Sequence, residues 1–152
     1  MKKTLVFFVR FVVASLILYT AWMFIGKFYT LIVAWGAKPL VALTGNTLSI
    51  ERTMLVQEEI SLNPVVYISL VIAVTGVPWK KRAWTALTGV LILTAANIIT
   101  VFFMFLSAFT GSEQLWAGTE FLNLTINFFL PILLWILLMP KGDLLPLSPS
   151  SD

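Results

Sequence analysis

Long apolar runs separated by short polar stretches organise this chain, and their lengths match bilayer crossings rather than the faces of a water-soluble core. The runs predict helical spans over about 5–36, 64–78, 84–109 and 121–139, since roughly 20 apolar residues suffice to cross a hydrocarbon layer. The sharpest break is Pro78-Trp79-Lys80-Lys81-Arg82-Ala83-Trp84, where three basic side chains stand between two indoles. Lys and Arg favour the cytoplasmic side and tryptophan favours the headgroup layer, so Trp79, Lys80, Lys81, Arg82 and Trp84 are read as a membrane-surface turn that sets topology. The expectation is an all-α integral membrane protein with four main transmembrane helices and both termini in the cytoplasm.

The first run begins like a secretory signal, with Lys2 and Lys3 ahead of an apolar stretch and small residues at Ala14 and Ser15. Arg10 interrupts that stretch, and hydrophobicity continues through Leu16, Trp22 and Ile25 as far as Trp35. A retained first span is therefore expected. Lys27 stands near its far end, and Phe28 to Ala37 either continues the span or lies along the outer interface as a second, shorter helix, where Tyr29 and Trp35 would fit.

Between about 39 and 62 the period changes. Thr44-Gly45-Asn46-Thr47 is turn chemistry, and Leu48-Ser49-Ile50-Glu51-Arg52 alternates every second residue, so a short extracytoplasmic β-like segment is predicted. Met54-Leu55-Val56 and Ile60-Ser61-Leu62 would pair with it across Gln57-Glu58-Glu59. Asn63-Pro64 then reads as a helix start, because proline is tolerated at the first helical position.

Polar residues recur inside the later runs at helical spacing. Thr94, Asn97 and Thr100 share a face of the third span and should look inward. Asn123, Asn127 and Pro131 are spaced i, i+4 on the fourth. Asn97, Thr100, Asn123 and Asn127 have two readings: hydrogen bonding between helices, at about 0.6–2 kcal/mol each, or the lining of a groove or pore. No Asp, Glu, Lys or Arg stands in the middle of spans two to four, which argues against proton relays, ion-coupled transport and voltage sensing.

Composition sharpens this picture. The 152 residues are 59% hydrophobic and 11% charged, far from the roughly 45–50% and 25% of soluble domains. A net charge of +3 is explained by basic residues beside apolar runs, so nucleic acid is not an expected partner. Neither cysteine nor histidine occurs anywhere, which removes disulfides, thiolate nucleophiles, imidazole bases and the usual soft-metal ligands. No cofactor and no metal site are expected. Glu51, Glu58 and Glu59 read as solvated topology markers of an external loop. Residues 141–152, with Pro146, Pro149 and three serines, read as a loose cytoplasmic tail.

The order of features from Arg10 to Trp135 resembles the exosortase/archaeosortase family of membrane transpeptidases. Leu62-Asn63-Pro64-Val65 sits where that family has a cysteine motif, Pro78 to Arg82 resembles its basic turn, and Asn97-Ile98-Ile99-Thr100 resembles its Asn-x-x-Arg motif. The resemblance implies the fold and a groove. It does not carry over the chemistry. Leu62 occupies the nucleophile position and Thr100 the arginine position, and no histidine stands near Thr119 or Glu120, where that family's histidine would fall.

The expected function is that of a non-catalytic, exosortase-like multi-pass protein of the cytoplasmic (inner) membrane that binds or positions a membrane partner. Asn63, Asn97, Thr100, Asn123 and Asn127 are its candidate contact residues, and no catalytic residue is assigned. The alternative is a small structural or accessory subunit of a larger membrane complex, with twelve phenylalanines and six tryptophans supplying its interfaces. The expected partners are the lipid bilayer and a membrane protein or complex.

Overall fold

The structure is a computed structural model. It describes residues 2–139, with the side chains of Lys2, Lys3, Glu58, Glu59 and Ser61 left out. The tail expected at 141–152 lies outside the described residues.

The first apolar run forms one unbroken helix, α1, from Lys2 to Ala42. Its 41 residues rise about 60 Å, twice the thickness of a hydrocarbon core. Phe28 to Ala37 thus continues the first helix. Pro39 falls in its last turn, and the chain leaves the helix at Thr44, whose hydroxyl donates to the Val41 carbonyl at 2.7 Å. Gly45 follows with φ 77°, a left-handed conformation that glycine adopts without a Cβ clash.

The β-like segment expected over 39–62 is helical where it was read as alternating. Ile50–Leu55 forms a short helix, α2, and among the described residues there is no strand. Ser49 is the physical reason: its hydroxyl accepts from the Arg52 amide at 3.3 Å and caps the helix, with Glu51 in the first turn opposite the helix dipole. Five alternating residues are too few to outweigh that cap.

Helix α3 spans Gln57–Ala73 and so begins seven residues before the proline that was expected to open it. Gly76, at φ 88°, and Pro78 make the turn into α4, Trp79–Thr110. Arg82 reaches back across this turn, its Nε donating to the Val77 carbonyl at 2.8 Å. Gly111 ends α4 in the left-handed conformation, its amide bonded to the Ser107 carbonyl at 3.0 Å. Ser112 caps the next helix through the Leu115 amide at 3.2 Å.

The last rod is continuous but not uniform. Helix α5, Glu113–Leu124, passes through a π-helical turn, Thr125–Phe129, into α6, Leu130–Leu138. Pro131 accounts for the wide turn: it has no amide proton for the Asn127 carbonyl one turn back and its ring crowds that group, so the Leu130 amide bonds to Thr125 instead.

Three helices are long and apolar enough to cross a membrane: Thr4–Ala42, Trp79–Thr110 and Glu113–Leu138. Leu62–Ala73 within α3 is a shorter apolar helix. Two buried clusters hold the bundle. One joins the C-terminal half of α1 to α3 and α4 through Tyr29, Val33, Ala37, Ile60, Val101 and Phe105. The other gathers Tyr67, Val71, Val77, Leu93, Leu134 and Met139 near the α3–α4 turn. Close approach is bought with glycine at two places. A Cβ on Gly89 would overlap the Tyr67 ring, and one on Gly36 would overlap Ile98.

Candidate functional site

Between the two clusters the helices meet at a buried polar clasp. The Asn63 and Asn97 amides pair reciprocally, Nδ2 of Asn63 donating to Oδ1 of Asn97 at 2.8 Å and the reverse bond measuring 3.1 Å. Asn97 Nδ2 also lies 2.7 Å from the Tyr29 hydroxyl and 2.7 Å from the Ile60 carbonyl. The Ile60 carbonyl is there for the taking, because its helical partner would be residue 64, and Pro64 has no amide proton. A side chain on α4 thus repairs a gap in α3. Three acceptors surround an amide nitrogen with two hydrogens, so two of them share one hydrogen.

Asn63 and Asn97 are fully buried. Thr100 is too, its hydroxyl donating to the Ala96 carbonyl of its own helix at 3.1 Å. Tyr29, read from sequence as an interfacial residue, is instead buried inside the bundle at 7% exposure.

Asn123 and Asn127 stand elsewhere. They line a groove of about 810 Å³ between α3, α4 and the α5–α6 rod. Their side chains bond each other, Asn127 Nδ2 donating to Asn123 Oδ1 at 2.8 Å. The five candidate contact residues therefore fall into two places: Asn63, Asn97 and Thr100 in the packed interior, Asn123 and Asn127 on a groove wall.

The groove lining mixes charged, polar and apolar side chains. Arg52 and Glu120, both exposed, line it together with Trp116 and Thr119. Leu62, Val66, Phe128 and Ile132 make its apolar part. The π-helical turn lies against it, since Asn127 and Phe128 belong to both. Leu62, Thr119 and Glu120 border the same groove, whereas Thr100 does not. Trp116 is a groove residue that sequence reasoning did not single out, and Arg52 was read as part of an alternating external segment rather than as a groove residue. For Arg52 the missed signal was Ser49 three residues earlier, which caps the helix that carries it.

Trp79 to Trp84, read from sequence as a turn, form the start of α4, with the turn itself at 74–78; Trp79 and Trp84 are 72% and 71% exposed, with Lys80 and Lys81 exposed between them. Among the described residues no group of three acidic side chains gathers as a metal site. No family profile, curated protein or solved structure matches the chain.

Proposed function

We propose that this is a non-catalytic, exosortase-like multi-pass protein of the cytoplasmic membrane that binds and positions a membrane partner through the groove between α3, α4 and α5–α6. The observation that carries the reading is the groove itself: about 810 Å³, within the range of ligand sites, opening on apolar side chains with a few convergent polar groups. The placement of Leu62, Thr119 and Glu120 along it also supports the resemblance. In this reading α3 is a short fourth span, the basic turn faces the cytoplasm with both termini, and α2 with the 43–49 loop stands on the other side.

A photoreactive residue at position 128 tests the reading in intact membranes, with the same probe on α1 at Leu16, 63% exposed, as the comparison. The expected result is one discrete adduct from position 128, weakened by Asn127→Leu while the protein remains folded. Recovery unchanged by Asn127→Leu removes the groove as the contact region.

The accessory-subunit reading draws on one further feature. Helix α1 leaves Phe8, Leu16, Ile17, Met23 and Phe24 more than half exposed over its first two-thirds. Discrete adducts from position 16 together with stoichiometric co-purifying subunits favour this second reading.

A further inference from the structure

The groove proposed above as the contact region carries two side chains of opposite charge, Arg52 and Glu120, on a lining that is otherwise mostly apolar. An occupant that matches it is an amphiphile whose polar end holds charges of both signs.

We propose that the groove binds a single zwitterionic phospholipid. The inference rests on the reading of the groove as a binding site and names its ligand. Arg52 offers a guanidinium whose fork suits a phosphate, and Glu120 offers a carboxylate for the ammonium of the same headgroup. The two lie in a lining that also holds Trp116, an indole of the kind that settles at headgroup level. Asn123 lies on the same wall, where ester carbonyls follow the headgroup, and its amide nitrogen carries donors while its Oδ1 accepts from Asn127. Leu62, Val66, Phe128 and Ile132 offer hydrocarbon to an acyl chain. Glu120 and Ile132 are twelve residues apart, a rise of about 18 Å, which is close to the depth of one leaflet of a ~30 Å core. A single negative headgroup would find one favourable charge and one unfavourable one; a headgroup of both signs satisfies both.

The test uses the full chain, delipidated in detergent and equilibrated with mixed vesicles holding equal phosphatidylethanolamine, phosphatidylcholine and phosphatidylglycerol of one chain length. Native mass spectrometry then reads the lipid retained. The expected result is one zwitterionic lipid per chain, enriched about tenfold over phosphatidylglycerol, the scale of two partly exposed charge contacts. Glu120→Gln should remove that preference, Arg52→Gln should lower retention of all three lipids, and Ile132→Trp should abolish retention while the helical signal stays. Retention of either zwitterionic lipid over phosphatidylglycerol supports the assignment. Unselective lipid adducts that ignore these substitutions overturn it. A polypeptide adduct at position 128 with no retained lipid also overturns it, yet leaves the groove as the contact region. Absence of both lipid and adduct ends both readings.

Discussion

Asn97 donates to the Ile60 carbonyl across 2.7 Å, from one helix to a gap in another. The gap exists because Pro64 supplies no amide proton, so the contact is worth most while the proline is present. Removing the side chain by Asn97→Leu strands the Ile60 carbonyl and the Asn63 amide and takes one partner from the Tyr29 hydroxyl. A destabilisation of about 2–4 kcal/mol is expected, read by denaturant titration in detergent. In a Pro64→Ala background the amide at 64 can serve Ile60, and the same substitution should cost about 1 kcal/mol less. Equal penalties in the two backgrounds would show that Asn97 does not compensate for the proline.

Gly89 and Tyr67 make a second coupled pair. The Tyr67 ring fills the space where a Cβ on residue 89 would stand, and its hydroxyl donates to the Thr85 carbonyl at 2.8 Å. Gly89→Ala is therefore expected to destabilise by about 1–3 kcal/mol through overpacking, although alanine is the better helix former. Tyr67→Leu should cancel part of that loss in the double variant. A thermal melt in which Gly89→Ala raises the midpoint refutes the close approach.

Pro131 fixes the wide turn beside the groove. Pro131→Ala returns a donor to the Asn127 carbonyl and relaxes the π-helical turn toward α geometry. Stability should rise by about 1–2 kcal/mol, less than the ~3 kcal/mol of an unsupported helix-interior proline because Pro131 is buried and leaves a small void. The photo-adduct at position 128 should weaken at the same time, since Asn127 and Phe128 shift with the turn. Higher stability with an undiminished adduct would separate the turn from the groove.

Topology can be read without preparatory mutations, because the chain has no cysteine. Ser112→Cys is expected to react with a membrane-impermeant maleimide in intact cells, and Lys81→Cys only after permeabilisation. The opposite pattern would invert the orientation given to the basic turn.

The parts of this fold that were legible in the sequence are those set by local chemistry. The turn from Pro78 to Trp84 combines a helix-breaking proline, basic side chains and indoles within seven residues, and α4 begins there. Asn123 and Asn127 share a face by spacing alone, and they do share a wall. What was not legible depended on distant partners. Pro64 looks like a helix start until a donor 33 residues later makes it tolerable inside α3. Tyr29 looks interfacial until Asn97 gives its hydroxyl a partner 68 positions away. Lys27 suggested the end of a span, yet its ammonium stands over the Phe28 ring at 5.2 Å while the helix runs on. The groove needed Arg52 and Leu62 to be brought against Glu120 and Ile132 of a different rod, which no spacing rule anticipates.

The clasp also sets an order of events as the chain is made. Tyr29 emerges 68 residues before Asn97, an interval of roughly 3–14 s at ordinary rates of synthesis. Throughout that time the tyrosine hydroxyl, and from residue 60 onward the Ile60 carbonyl, must do without the amide that will serve them both. The polar seam among α1, α3 and α4 closes only when α4 has arrived, so a nascent chain halted ahead of residue 97 lacks the one nitrogen that serves all three helices.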